Sequence, residues 1–303
     1  MNPHHLTTEK ALHKNTLSPS HLSKVILLIL AGGFPMELIT RTIELNEFAQ
    51  GLAREAGNEL MKYFNNSTRA KITRSGSNPQ TVADVISNDL IRKEISQRFP
   101  DHDIKSEETY DHAPFYWDYK SNYVWLVDPC DGTMNFISNI PFFSVSIALS
   151  FRREVIMGVV FDPVRGELFS AEKTKGAYLN RLPIIVGKKK KLSEASLGID
   201  IYHSPLLIKR ELQFLAVLAS KVRVVRSFFS GALELCYLAD GRIDIRIDDS
   251  YKPWDVAAGS LIAKEAGARI TNILNQSWTL CSKSMLAANP VLHQRVVQIL
   301  MLQ

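Results

Sequence analysis

Apolar residues recur at helical spacing near the start of the chain. Between residues 42 and 64 they fall every three or four positions, which places them on one face of a helix. A second helix is predicted over 81–99, because Thr81 is a residue type that caps helices and Pro100 prevents their continuation. The polar segment 71–79, rich in Ser, Asn and Gly, predicts a loop or hairpin between the two helices.

A continuous apolar run at 123–127 predicts a buried strand in the middle of the chain. Further strands are predicted after it, separated by short turns, at 142–149, 155–161, 167–171 and 176–179. Because strands that follow one another so closely are joined as hairpins, their spacing indicates an antiparallel sheet.

Beyond residue 193 the pattern changes, and strands alternate with helices. The predicted strands lie near 195–201, 222–226 and 243–247. The predicted helices lie near 205–220, 231–240 and 255–266, with a last helix over 290–302. Alternation of this kind is typical of an α/β unit. The lysine run at 188–191 marks the predicted boundary between an N-terminal α+β subdomain, 36–187, and a C-terminal α/β subdomain, 188–303.

Residues 1–35 differ from the rest of the chain. They contain four of the eight histidines, and their apolar run at 25–30 is too short to cross a bilayer as a helix. We interpret them as a disordered N-terminal extension, or an upstream translation artefact, before a folded part that starts at Met36. A signal peptide is the alternative, although its apolar core would start unusually late. We expect no membrane association.

The composition is typical of a soluble globular protein, and the cysteine content predicts a reducing, cytoplasmic setting. The 303 residues carry a net charge of +5, which suits an anionic substrate without requiring one. The three cysteines are far apart and odd in number, so neither a disulfide framework nor a zinc cluster is indicated. No aromatic residues interleave the lysine run, and we therefore do not expect nucleic acid as a partner.

The candidate chemistry is concentrated at residues 128–133, which read DPCDGT and follow the buried strand. Asp followed by Pro predicts a type I turn, which can bring the carboxylates of Asp128 and Asp131 into one space. Like charges at close range need a cation between them. Hard oxygen donors without His or Cys nearby favour Mg²⁺ over zinc. An ordinary surface turn is the alternative for this stretch taken alone.

Three motifs together resemble the inositol monophosphatase family. Residues 125–149 read WLVDPCDGTMNFISNIPFFSVSIAL, similar to the signature W-x-V-D-P-[LI]-D-G-T-x-N-F and its continuation. Ser106-Glu107-Glu108 is similar to the family's G-E-E, and the stretches 253–259 and 265–267 are similar to W-D-x-A-A-G and E-A-G-G. The likeness runs from about Met36 to the C-terminus. It implies a fold of α+β and α/β parts, a layered αβαβα sandwich of the inositol monophosphatase/fructose-1,6-bisphosphatase type.

The resemblance implies a metal site and a set of catalytic residues. Two or three Mg²⁺ ions are expected, since paired ions can clamp the attacking and leaving oxygens of a phosphoryl transfer. The implied metal ligands are Glu107, Asp128, the backbone carbonyl of Cys130, Asp131 and Asp255. The implied catalytic residues, which orient the attacking water, are Glu107, Thr133 and Asp84. For Asp84 alone a first-turn helix acid, and for Asp255 alone a helix cap, are the structural alternatives.

The resemblance also implies the substrate contacts. These are Asp131, Gly132, Thr133, Ser230, Gly231, Asp248 and Asp255. The chain departs from the family at two of the neighbouring positions. Phe229 stands where the family commonly has Gly, and Asp248 where it often has the longer Glu. Cys130, where the family has Leu or Ile, is interpreted as a small core side chain, with a redox-sensitive thiol as the alternative.

The expected activity is Mg²⁺-dependent hydrolysis of a small phosphate ester, with inositol 1-phosphate as the leading substrate. Fructose 1,6-bisphosphate, histidinol phosphate and adenosine 3′,5′-bisphosphate remain open. The alternative from another class is a non-catalytic regulator that binds RNA or protein on the same fold. The resemblance further implies a homodimer and inhibition by lithium.

Overall fold

Two β-sheets and the helices between and around them form this protein. The computed structural model describes residues 36–65, 71–74, 79–109, 119–201, 205–249 and 251–301. The predicted extension 1–35 lies outside the described residues. Residues 42–303 form one compact unit, and every contact below lies within it. None of the described helices combines the length and the apolar content that a membrane crossing requires.

The first sheet has seven strands in the order β3-β4-β5-β6-β7-β8-β9. Their bounds are Asp103–Ser106, Tyr123–Asp131, Ser144–Phe151, Glu154–Asp162, Glu167–Glu172, Ala177–Leu179 and Leu182–Ile184. All neighbours pair antiparallel except β3 and β4, which run parallel. The predicted antiparallel sheet is therefore present, and β3 and β9 extend it at its two edges.

The second sheet has five strands in the order β11-β10-β12-β14-β13. Their bounds are Val224–Arg226, Ser196–Gly198, Ile245–Asp248, Met285–Ala288 and Arg269–Thr271. β10 pairs parallel with β11 and β12, as expected for an α/β unit, whereas β12, β14 and β13 pair antiparallel. A short antiparallel hairpin, β1 and β2, is formed by Ile72–Arg74 and Gln80–Thr81.

Seven α-helices are described, α1 to α7 in chain order. Their bounds are Met36–Met61, Val82–Arg98, Thr133–Ile137, Pro205–Leu218, Gly231–Ala239, Pro253–Glu265 and Pro290–Leu300. Single 3-10 turns lie at Glu107–Thr109 and Leu192–Glu194. The capping prediction for α2 is confirmed, because the Thr81 side chain accepts the N–H groups of Ala83 and Asp84.

Alternate residues of β4 enter two different cores. Trp125 and Val127 pack with α1 and α2, whereas Val124 and Leu126 pack with α5 and α6. Because successive side chains of a strand point to opposite faces, the seven-stranded sheet has helices on both sides. Each fully buried aliphatic side chain of this kind contributes roughly 1.5–3 kcal/mol to folding.

The five-stranded sheet is covered on both sides in the same way. Met285 and Ala287 of β14 belong to the core that contains α5 and α6, whereas Leu286 and Ala288 pack with α4 and α7. The layers are therefore α1/α2, the first sheet, α5/α6, the second sheet, and α4/α7. This order confirms the layered αβαβα sandwich. The two sheets lie on either side of residue 188 in the chain, and the division into subdomains 36–187 and 188–303 stays a prediction.

The predicted type I turn at 128–131 is replaced by an irregular strand end. β4 continues to Asp131, but its pairing with β5 shifts register between Asp128 and Asp131. Pro129 lacks the N–H group that a regular ladder needs. The N–H of Cys130 instead donates to Oδ1 of Asp128 at 3.0 Å. A bulge of this kind re-aims the side chains beside it.

Candidate active site

The parallel pairing of β3 and β4 brings the first acidic residues together. Ser106, the last residue of β3, pairs with Val127 of β4. The next residues on the two sides, Glu107 and Asp128, are therefore neighbours. Asp131 is the last residue of β4, and Asp255 lies in the first turn of α6. The carboxylates of Asp128 and Asp131 are buried. Four acidic residues from three separate stretches of the chain therefore meet at one end of the first sheet.

These four carboxyl groups act on one another electrostatically. Burial raises the pKa of Asp128 well above its usual range, and the negative charges of Glu107, Asp131 and Asp255 raise it further. Burial also raises the pKa of Asp255, again with a contribution from Glu107. The strongest charged neighbours of these side chains are thus other acids. Such a group is stable in the ionised form only with a cation among its oxygens.

Asp131 connects β4 to the start of α5. Its Oδ2 accepts hydrogen bonds from Ser230 Oγ at 2.5 Å and from the Ala232 N–H at 3.0 Å, and its Oδ1 accepts the Gly231 N–H at 3.1 Å. Burial raises the pKa of Asp131 to about 6, although the hydrogen bonds from Ser230 and the helix N–H groups lower it. Ser230 and Gly231 are therefore brought to the acidic cluster, as predicted.

Asp255 and Asp128 each have one carboxylate oxygen engaged by the backbone. Asp255 Oδ2 accepts the N–H of Lys252 at 2.7 Å, so this residue also closes the first turn of α6. Asp128 Oδ1 accepts the N–H of Cys130. Within the described residues, the second oxygen of each of these carboxylates accepts no hydrogen bond. Both oxygens are therefore suited to a ligand from outside the chain.

Thr133 and Asp84 are also brought together. Thr133 Oγ1 lies 3.0 Å from Asp84 Oδ1 and 2.9 Å from the carbonyl oxygen of Cys130. Asp84 in addition accepts the N–H of Thr81 at 2.8 Å. Burial raises the pKa of Asp84, while the hydrogen bonds from Thr81 and Thr133 lower it. Asp84 is therefore both a first-turn helix acid and a partner of Thr133.

Gly132 is required by its conformation and its surroundings. Its φ is +91°, in the left-handed region that favours glycine. A Cβ atom here would lie 3.1 Å from the carbonyl oxygen of Phe142 and 3.2 Å from that of Phe229. The backbone can therefore turn tightly into α3 only with glycine. This turn leaves the N–H groups at 132 and 133 beside the acidic cluster.

The side chain of Cys130 is buried, and its backbone carbonyl oxygen lies beside the hydroxyl of Thr133. Burial raises the pKa of the thiol well above its usual range, and the charges of Asp84 and Asp128 raise it further. Redox-sensitive cysteines have a lowered pKa and an exposed sulfur. The structure therefore favours the small core side chain over the redox-sensitive thiol.

Asp248 is held differently from the other predicted residues. Its Oδ2 accepts a hydrogen bond from Arg246 Nη2 at 2.8 Å, and the same nitrogen donates to Asp200 Oδ2 at 2.8 Å. Nε of Arg246 lies 3.3 Å from Glu234 Oε2, without the alignment of a hydrogen bond. The charge of Asp248 also contributes to the raised pKa of Asp255, so the two side chains belong to one neighbourhood.

Sequence reasoning missed Arg246 and Asp200. The period of two along β12 places Arg246 on the same face as Asp248. That spacing was the available signal for Arg246. Asp200 lies just after β10, and its proximity follows only from the parallel pairing of β10 with β12.

The donor set fits a divalent cation. Within the described ranges, no three acidic, His or Cys side chains already converge closely enough to hold an ion, as expected of acids that repel one another. Hard oxygens, surplus negative charge and two unengaged carboxylate oxygens are the chemistry that Mg²⁺ requires. The residues that could hold it are Glu107, Asp128, Asp131, Asp255 and the carbonyl of Cys130.

Comparison with known proteins agrees with this geometry. The family model described as the inositol monophosphatase family matches residues 43–301. Inositol monophosphatase 1 of Solanum lycopersicum is 34% identical over 87% of this chain and 98% of its own length. The Nus factor SuhB of Haemophilus influenzae is 35% identical over 78% of this chain and 88% of its own.

A solved structure is similar over the same range. The IMPase of Thermotoga maritima has a TM-score of 0.75 and 30% identity, and the match covers 84% of this chain and 96% of that one. Fold, site geometry and sequence all lead to the same assignment. The chain therefore belongs to the inositol monophosphatase family and is a phosphomonoesterase.

Proposed function

We propose that this protein hydrolyses the phosphate monoester of a small polyol in a Mg²⁺-dependent reaction, with inositol 1-phosphate as the leading substrate. The observation that carries the proposal is the meeting of Glu107, Asp128, Asp131 and Asp255 beside Gly132, with acids as their strongest charged neighbours. Phosphate monoesters hydrolyse extremely slowly without help. A site that concentrates divalent charge on the phosphoryl group supplies the missing stabilisation.

The metal-holding residues are Glu107, Asp128, Asp131, Asp255 and the Cys130 carbonyl. When two or three Mg²⁺ ions are bound there, they neutralise phosphate charge and make water a better nucleophile. The irregular end of β4 fixes Asp128, and the N-terminus of α5 fixes Asp131 through Ser230. Little reorganisation is then needed when the ions and the ester bind.

The attacking water is oriented by Glu107 and Thr133 in this proposal. Asp84 accepts a hydrogen bond from the Thr133 hydroxyl, which holds that hydroxyl toward the site and leaves its oxygen lone pairs for the water. The backbone N–H groups of Gly132 and Thr133 donate to the phosphate. Such donors stabilise charge in the transition state without having to move.

The rest of the substrate is held by Ser230, Gly231 and Asp248, with Asp131 and Asp255 at the phosphate end. Asp248 reaches substrate hydroxyls while Arg246 fixes its orientation. Its side chain is one methylene shorter than the Glu that is often found here. A polyol that sits deeper, or one other than inositol, is therefore compatible with the site.

The proposal extends to properties that family membership suggests. These are a homodimer, a cytoplasmic location, and inhibition by lithium through competition at a Mg²⁺ position. Fructose 1,6-bisphosphate, histidinol phosphate and adenosine 3′,5′-bisphosphate are the competing substrates.

The test is phosphate release by the purified chain from a panel of these esters, with Mg²⁺ and with a chelator. We expect release from inositol 1-phosphate that needs Mg²⁺ and is reduced by lithium. Release from another ester alone would keep the reaction and change the substrate. No release from any ester with Mg²⁺ present would reject the proposal.

A regulatory role is the second candidate, because several relatives are named Nus factor SuhB. In that case the folded wild-type protein would bind RNA or a protein partner tightly and release no phosphate. The intact acidic cluster supports the enzyme, since a purely regulatory chain gains nothing from mutually repelling buried acids.

A further inference from the structure

The buried face of helix α2 changes character along its length. Its later turns contribute Ile91 and Ile95 to the core, whereas its first turns place Asp84, Ser87 and Asn88 on the same face. All three polar residues are buried. Buried polar groups cost stability unless they are hydrogen-bonded, and a helix that only filled the core would not need them. Their partners therefore indicate what this end of α2 does.

Ser87 holds the irregular end of β4. Its Oγ donates a hydrogen bond to the carbonyl oxygen of Pro129 at 3.0 Å. Pro129 lies between Asp128 and Asp131, where the pairing of β4 with β5 shifts register. Because a bulge disrupts the regular ladder, a hydrogen bond from outside the sheet fixes the backbone there. The Ser87 hydroxyl therefore acts on the stretch that carries both acids of β4.

Asn88 holds the end of β3 in the same way. Its Oδ1 accepts a hydrogen bond from Ser106 Oγ at 2.6 Å, while its Nδ2 donates to Asp89 Oδ1 at 3.2 Å. Ser106 is buried and is the last residue of β3, directly before Glu107. It stands where the family motif has Gly, which has no hydroxyl to donate. The contact therefore depends on a residue by which this chain departs from the motif.

Asp84 supplies the third contact, the hydrogen bond from Thr133 at the start of α3. One face of one helix is thus bonded to the end of β3, the end of β4 and the start of α3. These are the stretches that carry Glu107, Asp128 and the other groups of β4. Carboxylates that repel one another bind an ion well only if the surrounding structure holds them at the right spacing.

We propose that Ser87 and Asn88 are positioning residues of the metal site, and that the polar face of α2 sets the spacing between Glu107 and the acids of β4. Neither side chain is itself a ligand, and each acts through the backbone of a strand that carries ligands. Groups that orient metal ligands typically contribute about 10–100-fold to metal affinity. The inference rests on the proposed function and deepens it, because it names residues outside the acidic cluster on which Mg²⁺ binding depends.

Three buried serines provide a matched comparison. Ser87, Ser106 and Ser150 are each 0% exposed. Ser150 Oγ donates to the carbonyl oxygen of Val124 at 3.1 Å, at the opposite end of β4 from the acids. Each serine-to-alanine substitution removes one hydrogen bond of this kind. Without Mg²⁺, Ser87→Ala, Ser106→Ala and Ser150→Ala should therefore each unfold about 2–4 °C below wild type.

Mg²⁺ binding separates positioning from a structural role. For each protein, the quantity to measure is the Mg²⁺ concentration that gives a fixed rise over its own metal-free unfolding temperature, since that concentration scales with the Kd. Ser87→Ala and Ser106→Ala should need about tenfold more Mg²⁺ than wild type, and Ser150→Ala should need the same as wild type. Phosphate release should depend on Mg²⁺ over the same shifted range in the first two variants only.

Double variants identify the route of each effect. Asn88→Ala alone should weaken Mg²⁺ binding as much as Ser106→Ala, and combining the two should weaken it little further, because they remove the same hydrogen bond. Combining Ser87→Ala with Ser106→Ala should multiply the two effects, because the two serines act on different strands.

If Ser87→Ala and Ser106→Ala needed no more Mg²⁺ than Ser150→Ala, the positioning role would be overturned and the metal site would stand. Equal weakening in all three variants would assign the effect to a general loss of stability, and would also reject the inference. A wild type that Mg²⁺ neither stabilises nor activates would overturn the proposed function together with the inference.

Discussion

Two clusters of buried acids lie close together in this protein. One of them contains an arginine, and the other contains acids only. The arginine-centred cluster contains Arg246, Asp200 and Asp248, with Glu234 beside it, and Arg246 is only 1% exposed. The metal-candidate cluster consists of Glu107, Asp128, Asp131 and Asp255. Both are removed from water, so both need compensation for their charge.

The pKa values of two aspartates, one from each cluster, are shifted in opposite directions. Burial alone would raise the pKa of Asp200, but the charge of Arg246 and several hydrogen bonds lower it below the usual value. Burial and neighbouring acids raise the pKa of Asp128 well above its usual range. The first cluster contains its own cation, and the second is suited to one from solution. We therefore expect the first cluster to support the fold and the second to support the chemistry.

The largest expected effect comes from removing the internal cation. Arg246→Met should lower the free energy of unfolding by about 3–5 kcal/mol, because it leaves Asp200 and Asp248 buried without their partner. Urea unfolding measures the loss. The matched control is Arg242→Met, whose partly exposed guanidinium pairs with Glu167 and Asp240, and it should cost only about 1–2 kcal/mol because its partners stay in contact with water. Equal losses in the two variants would remove the distinction between the clusters.

Removing one acid of the metal-candidate cluster should affect activity and spare the fold. Asp128→Asn should lower kcat/KM by about 10²–10³-fold or more, because a carboxylate that holds the charge-stabilising ions is lost. Its unfolding temperature without divalent ions should stay the same or rise, since one repelling charge is gone. Phosphate release and thermal unfolding together measure this.

The matched control for Asp128→Asn is another buried aspartate, Asp244, which directly precedes β12. Asp244 accepts hydrogen bonds from the Ser196 N–H and from Lys189, each at 2.8 Å. Asp244→Asn should lower stability by about 1–3 kcal/mol and keep kcat/KM. If Asp128→Asn released phosphate with the kcat/KM of wild type, the cluster would not be catalytic.

A smaller effect comes from a buried histidine outside both clusters. Burial, with the nearby charge of Arg269, lowers the pKa of His293 to about 4, and Thr271 lies 2.9 Å from its Nε2. Below pH 6.5 the unfolded chain takes up this proton first, so stability falls between pH 6.5 and 4 and His293 causes no further loss below 4. The loss is about 3 kcal/mol in total.

His293→Gln should flatten the pH dependence of stability over that range. The quantity to measure at each pH is the difference in free energy of unfolding between variant and wild type, because the titration of the two acidic clusters is common to both proteins and cancels. A difference that does not change between pH 7 and pH 4 would contradict the lowered pKa.

Much of the fold and site could be predicted from sequence because local patterns carry them. The period of the apolar residues gave most helices and central strands, and Thr81 gave the start of α2. The motif at 128–133 located the acids of β4, while the layered fold and the roles of Glu107 and Asp255 followed from resemblance. The structure brings these acids together through the parallel pairing of β3 and β4, which no local pattern contains.

Other features could not be predicted because they depend on the tertiary structure. The edge strands β3 and β9 are too short to show a period, and β13 and β14 were also missed. The contact of Arg246 with Asp200 needs the pairing of β10 with β12. The left-handed φ of Phe229 follows from hydrogen bonds to a residue 29 positions earlier. Sequence therefore identified the chemical groups better than the network that holds them.

Thermal unfolding with and without Mg²⁺ tests the central claim most directly. Ions that bind only the folded state, at a concentration 100 times their Kd, stabilise it by about 2.7 kcal/mol. Wild type and Asp244→Asn should therefore unfold about 5–10 °C higher with Mg²⁺, and Asp128→Asn should lose most of this shift. An unfolding temperature of wild type that Mg²⁺ leaves unchanged, or an equal shift in Asp128→Asn, would contradict the account.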